Sequence, residues 1–136
     1  MRAALQSQVA ACALFPYFAE TADFVESIED IVTTFGKGEA YEASARLLGF
    51  ADAVRERIGT PVNPGLRLYY DLTLERLRSA LGARAESIRR DGRLLGFDEA
   101  ISLIRATAEA IDRRIARSDR PPAGGEARAM RAGPGT

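Results

Sequence analysis

Acidic side chains offer the first candidate for chemistry in this sequence. Glu26, Glu29 and Asp30 lie close together, with Glu26 and Asp30 four residues apart. On a helix that spacing puts two carboxylates on one face, where a pair can divide acid and base roles. No histidine, lysine or metal-ligand cluster lies near this pair in sequence. The chain has no histidine, which removes the commonest general base near neutral pH and the commonest metal ligand. A calcium site would need further oxygen ligands in a defined loop, and no such loop is evident. The acids therefore read as a solvated helix face, and no catalytic residue is assigned.

The remaining candidates reduce in the same way. Cys12 is the sole cysteine, so neither an internal disulfide nor a cysteine-cluster zinc site can form. It reads as a small buried hydrophobe. Gly36-Lys37-Gly38 places a lysine between glycines but lacks the longer glycine spacing, ending in Lys-Ser/Thr, that wraps phosphate. It reads as an interhelical turn. Arg84, Arg89, Arg90 and Arg93 form one basic group, and Arg113, Arg114, Arg117 and Arg120 a second. Either could grip a phosphate backbone. Yet Glu86 and Asp91 interrupt the first, Asp112 and Asp119 border the second, and arginine stems also cover apolar helix surface. Tyr69-Tyr70 is a possible recognition patch, since tyrosine suits partner surfaces. Only one of two adjacent helical residues can face the centre of a core. No catalytic, cofactor-binding or metal-binding residue is expected.

These residues need elements to hold them, and the apolar period is helical throughout. Six helices are expected. The first spans about Arg2 to Leu14, before Pro16. The second spans about Ala19 to Phe35, with a stripe of Val25, Ile28, Val32 and Phe35, and glycine at Gly36 and Gly38 stops it in a left-handed cap. The third runs from Glu39 to Ile58 and buries Ala43, Leu47, Ala51, Val54 and Ile58, with Gly59 and Pro61 ending it. Asn63 reads as an N-cap with Pro64 at the first helical position. The fourth helix follows to Leu81. Leu66, Tyr70, Leu74, Leu77 and Leu81 align on it, and Leu68, Tyr69 and Leu72 widen the apolar face. It is expected to pack on two sides. The fifth spans about Ala83 to Asp91. The sixth opens at Phe97-Asp98-Glu99, with acids suited to a helix N-terminus, and carries Ile101, Ile104, Ala108, Ile111 and Ile115.

The 136 residues amount to one domain at most, with 46% apolar residues to build its core. Residues 1–118 are expected to form a helical-repeat-like domain. From Asp119 to Thr136 prolines and glycines replace large apolar residues, and a disordered tail is expected. Nineteen basic and nineteen acidic residues give a formal net charge of zero, hence no global field to gather nucleic acid or an anionic membrane. Val9-Ala10-Ala11-Cys12 loosely resembles a lipoprotein cleavage site, but Gln6, Ser7 and Gln8 break the apolar run before it. No run approaches the roughly 20 apolar residues that span a bilayer. A cytoplasmic protein is expected.

Short loops favour antiparallel neighbours. The second and third helices, joined at Gly36–Gly38, approximate the roughly 34-residue unit of tetratricopeptide-type repeats. The fold class expected is all-α: antiparallel helical hairpins in a tetratricopeptide-like fragment of an α-solenoid.

The stretch from about Ala22 to Ala100 also resembles a known family. Its blocks are Phe24-Val25-Glu26-Ser27-Ile28, then Ser44-Ala45-Arg46-Leu47-Leu48-Gly49-Phe50-Ala51-Asp52-Ala53-Val54-Arg55, then Ile58-Gly59-Thr60-Pro61. Pro64, a tyrosine at Tyr69 or Tyr70, Leu81-Gly82, Gly92-Arg93, Leu95 and Glu99-Ala100 follow. In order and spacing these resemble the C-terminal helical-repeat region of large bacterial signalling ATPases, including LuxR-type and activator-type transcription regulators and nucleotide-cyclase-linked proteins. The phosphate-binding loop of those ATPases is missing from these residues, so the resemblance implies neither ATPase nor output activity. It implies a non-enzymatic protein-interaction module, either the end of a larger signalling or transcription regulator or a free-standing paralogue. A protein partner or self-association is expected, and no cofactor. The alternative is a small helical DNA-binding or regulator-associated protein, resting on the arginine groups.

Overall fold

The computed structural model describes residues 5–8 and 21–119. Residues 5–8 are helical. The rest of the first expected helix, Cys12, Arg120 and the expected tail beyond Asp119 lie outside the described residues. Within them there is no β-strand. Five α-helices follow in order: α1 (Ala22–Lys37), α2 (Tyr41–Ile58), α3 (Arg67–Leu81), α4 (Arg84–Gly92) and α5 (Phe97–Ser118), with a 3-10 turn, Pro64–Leu66, before α3.

Local capping chemistry sets three of the helical starts. Thr21 caps α1, its Oγ1 accepting the Phe24 backbone N–H at 3.2 Å. Asn63 accepts the Gly65 N–H at 2.9 Å and opens the 3-10 turn, with Pro64 where its missing N–H costs nothing. That turn is tighter than the expected helix start, so α3 begins at Arg67. At Gly96 the capping comes from the Glu99 carboxylate, which accepts the Gly96 N–H at 3.2 Å.

The α1–α2 turn departs from expectation. Its left-handed residue is Glu39, at φ 63°, while Gly38 sits at φ −82°. Space at Gly38 is tight: a Cβ there would lie 3.1 Å from Ile111 Cδ1 of α5, which would have to give by a few tenths of an ångström.

Helix α2 is the hub. It packs most extensively on α1 and α4, and also on α3 and α5. Its burial goes nearly all round: Leu47, Leu48, Phe50, Ala51 and Val54 are buried, as are Ser44 and Arg55. A hub helix needs no single apolar stripe, which is why a stripe of Ala43, Leu47, Ala51, Val54 and Ile58 understates its core. The stripe expected on α1 is wholly buried, and Phe24 and Ile31 extend it. Phe24 meets Phe50 edge-on at 6.1 Å between ring centroids and Phe97 of α5 at 5.7 Å. On α5, Ile101, Ile104, Ala108 and Ile111 are buried as the period requires, and Ile115 is half-buried.

The α2–α4 crossing rests on two glycines. A Cβ on Gly49 would stand 1.9 Å from the Arg89 carbonyl oxygen, and one on Gly92 would stand 1.8 Å from the Arg46 carbonyl oxygen. Backbone therefore meets backbone, and no side chain fits between the helices.

Helix α3 contradicts its expected double packing. Only Thr73 and Leu77 are buried on it. Tyr70, Leu74 and Leu81 are half-buried, while Leu66 is 39% exposed. Leu68, Tyr69 and Leu72 are 65%, 64% and 51% exposed. The second apolar face exists in sequence but has no neighbour among the described residues.

Candidate functional site

The exposed face of α3 borders a cleft of about 370 Å³ against α1. Carboxylates Glu26, Glu29 and Asp30 and hydroxyls Thr33 and Thr34 come from α1; Val62 and Leu66 come from the segment leading into α3, and Tyr69 and Tyr70 from the first turn of α3. Gln8 closes one side. The contacts step along both helices in the same sense. Asp30 and Tyr69 share the cleft, Thr33 and Thr73 hydroxyls meet at 3.4 Å, and the Arg76 side chain lies against Gly36. The two helices thus run side by side in one direction.

The three clustered acids separate into two environments. Glu29 is taken up by Arg55, which is only 5% exposed. Arg55 Nη2 and Nε donate to its two carboxylate oxygens at 2.5 and 2.9 Å. Arg55 Nη1 donates to the carbonyls of Thr60 at 3.2 Å and Pro61 at 3.0 Å. This guanidinium joins α1, the C-terminus of α2 and the loop into α3, and its hydrogen bond with Glu29 holds its pKa above the ordinary arginine value. Glu26 and Asp30 have no cation at ion-pair distance among the described residues. Burial and the neighbouring Glu26 charge raise the Asp30 carboxyl above its ordinary pKa.

Tyr69 and Tyr70 divide as adjacent helical residues must. Tyr70 turns inward and donates to Asp52 Oδ1 at 2.8 Å. Arg89 of α4 donates through Nη2 to the Tyr70 hydroxyl at 2.6 Å and through Nε to Asp52 Oδ2 at 2.8 Å. Burial, and then the Asp52 charge, push the phenol far above its ordinary pKa, so Tyr70 stays neutral. Arg67 stacks over its ring, 5.5 Å from the centroid. This closed network ties α2, α3 and α4 together. Tyr69 points outward beside the cleft.

The first arginine group is mostly engaged internally. Arg84 pairs with Glu42, Arg89 with Asp52 and Arg93 with Glu56, three links between α4 and α2 around the Gly49–Gly92 crossing. Arg90 is exposed. In the second group Arg114 donates to the Gly38 carbonyl in the α1–α2 turn, and Arg113 and Arg117 are exposed. Lys37 is the exposed C-terminal residue of α1. No group of three or more metal-ligating side chains occurs among the described residues, and none of the helices there is long and apolar enough to cross a membrane.

Sequence reasoning missed Arg55 and the Asp52–Tyr70–Arg89 network. Arg55 had a legible signal: it lies four residues after Ala51 and one after Val54, on the apolar side of α2. The network had none, because its members are 18 and 19 residues apart and meet only once the helices are packed.

No family model matches this chain, and neither a curated protein nor a solved structure matches it.

Proposed function

We propose that this chain is a non-enzymatic, tetratricopeptide-like protein-interaction module, in which antiparallel hairpins stack and a partner docks against the outer apolar face of α3. The observation that carries the reading is the exposure of Leu68, Tyr69 and Leu72 on a helix whose other side is packed. Exposed leucines scattered singly are ordinary; here Leu72 follows Leu68 by four residues and Tyr69, which lines the cleft, by three. An α3 built to end the fold would carry polar residues there. The parallel course of α1 and α3, with α2 returning between them, supports the repeat-like arrangement, since stacked two-helix units place their first helices side by side. Derivation from a bacterial signalling or transcription regulator rests on the sequence blocks alone.

The alternative, nucleic-acid binding, has a weaker footing. Three of the four arginines that motivated it in and just after α4, Arg84, Arg89 and Arg93, pair with Glu42, Asp52 and Glu56.

A photo-crosslinking residue in place of Tyr69 tests the reading. A discrete protein adduct, to a partner or to a second copy, is expected at position 69 and not at Glu109, on the exposed side of α5. No adduct at tens of micromolar chain overturns it.

A further inference from the structure

The groove between α1 and α3 is polarised as well as apolar. Seen along α1, the residues facing it recur at 26, 30, 33 and 34, and Lys37 continues that series three, four and seven residues on. Glu26 and Asp30 therefore mark one end. Lys37 marks the other, where Arg76 of α3 also lies, its stem against Gly36. At about 1.5 Å rise per residue, Glu26 and Lys37 are roughly 16 Å apart along the helix axis. Between them the apolar lining is Tyr69 of α3, with Val62 and Leu66 at the acidic end, and exposed Leu72 follows three residues beyond Tyr69 along α3.

We infer that this groove receives an amphipathic helix of a partner protein, with a lysine or arginine seated between Glu26 and Asp30, apolar anchors over Tyr69 and Leu72, and a carboxylate near Lys37 and Arg76. The inference rests on the interaction-module reading and adds the occupant's chemistry and direction. Charge complementarity selects this occupant. Glu29, on the same helix, has its own arginine, whereas Glu26 and Asp30 have no cation at ion-pair distance among the described residues, and their mutual repulsion is relieved by a cation placed between them. A small cation alone would leave the leucines wet. A neutral apolar helix would leave both charged ends desolvated without partners, which is costly. A helix of about three turns matches the spacing of the two charged ends, and its apolar anchors would meet Tyr69 and Leu72, three residues apart on α3.

The test uses the full chain and a fluorescein-labelled, amidated 18-residue leucine/alanine helix bearing two glutamates near its N-terminus and two lysines near its C-terminus. A second probe replaces the lysines by glutamates. Fluorescence anisotropy at low salt is expected to give binding of the lysine probe at tens of micromolar and at least tenfold weaker binding of the all-glutamate probe. Glu26→Gln/Asp30→Asn should weaken the lysine probe about tenfold, and Tyr69→Ser/Leu72→Ser should abolish its binding, with urea midpoints reporting that both variants fold. Raising salt should narrow the gap between the probes. Equal binding of the two probes, indifference to Glu26→Gln/Asp30→Asn, or sedimentation showing the groove closed by a second copy overturns the inference. If the probes fail while position 69 still crosslinks a protein, the occupant's chemistry is wrong and the module reading stands. If both fail, both are wrong.

Discussion

At the scale of single residues, the fold depends on a few positions whose chemistry admits no substitute. Arg55 is one. Removing its guanidinium leaves the largely buried Glu29 carboxylate unpaired and frees the Thr60 and Pro61 carbonyls. Arg55→Ala is predicted to cost about 3–5 kcal/mol in urea unfolding, the range for breaking a buried pair from one side. Tyr70→Phe should cost only about 1 kcal/mol, because it deletes one hydroxyl from a network whose Arg89–Asp52 link remains. Asp30 works in the opposite direction. Its carboxyl is raised in the folded state, so between the unfolded and folded pKa values the native chain holds the extra proton. Stability from this group is therefore lost as pH rises through that interval. Asp30→Asn should raise the urea midpoint at pH 7 and leave it nearly unchanged at about pH 2, below both the unfolded and the folded pKa, where the carboxyl is protonated in both states. The gain should stay below about 1 kcal/mol because solvent reaches the group.

At the scale of elements, the tightest constraint is the α2–α4 crossing. Gly49→Ala would drive a methyl into the Arg89 carbonyl, and Gly92→Ala one into the Arg46 carbonyl. Neither obstacle is a flexible side-chain end, so the helices must separate. A loss of about 3 kcal/mol or more is predicted for either variant, at or above the upper range for overpacking, with the three α2–α4 ion pairs stretched as the helices part. The helices themselves were legible in the sequence because caps and apolar periods are local. Phe97–Ser118 is where the acids of Phe97-Asp98-Glu99 and the isoleucine stripe place it. What was not legible is what each face meets. Gly49 reads as one glycine in a helix until Gly92 is laid across it. The second apolar face of α3 reads as core, yet no helix among the described residues covers it. Periodicity reports that a face is apolar and is silent on whether its own chain or another chain buries it.

At the scale of the whole molecule, α2 is surrounded, α1 and α4 clasp it, and α3 carries three exposed large apolar side chains, Leu68, Tyr69 and Leu72. Leu68→Ser/Tyr69→Ser/Leu72→Ser should therefore change unfolding free energy by no more than about 1.5 kcal/mol, taking roughly 0.5 kcal/mol for each exposed site. Leu77→Ala, on the packed side of the same helix, should cost about 2–5 kcal/mol. The acids first met as candidates for catalysis belong at this scale too. Glu29 is structural, and Glu26 with Asp30 forms the charged rim of a groove; their meaning comes from the surface they border.

The most direct measurement compares what the wild-type chain captures through position 72, carrying a photo-crosslinker, with what the chain captures when serines replace Leu68 and Tyr69 and the same crosslinker is kept. Urea midpoints of the two chains establish equal folding. A fall in adduct yield of tenfold or more between two equally stable chains is the predicted result. Undiminished capture, or a serine chain that no longer folds, would contradict the assignment of this face to a partner.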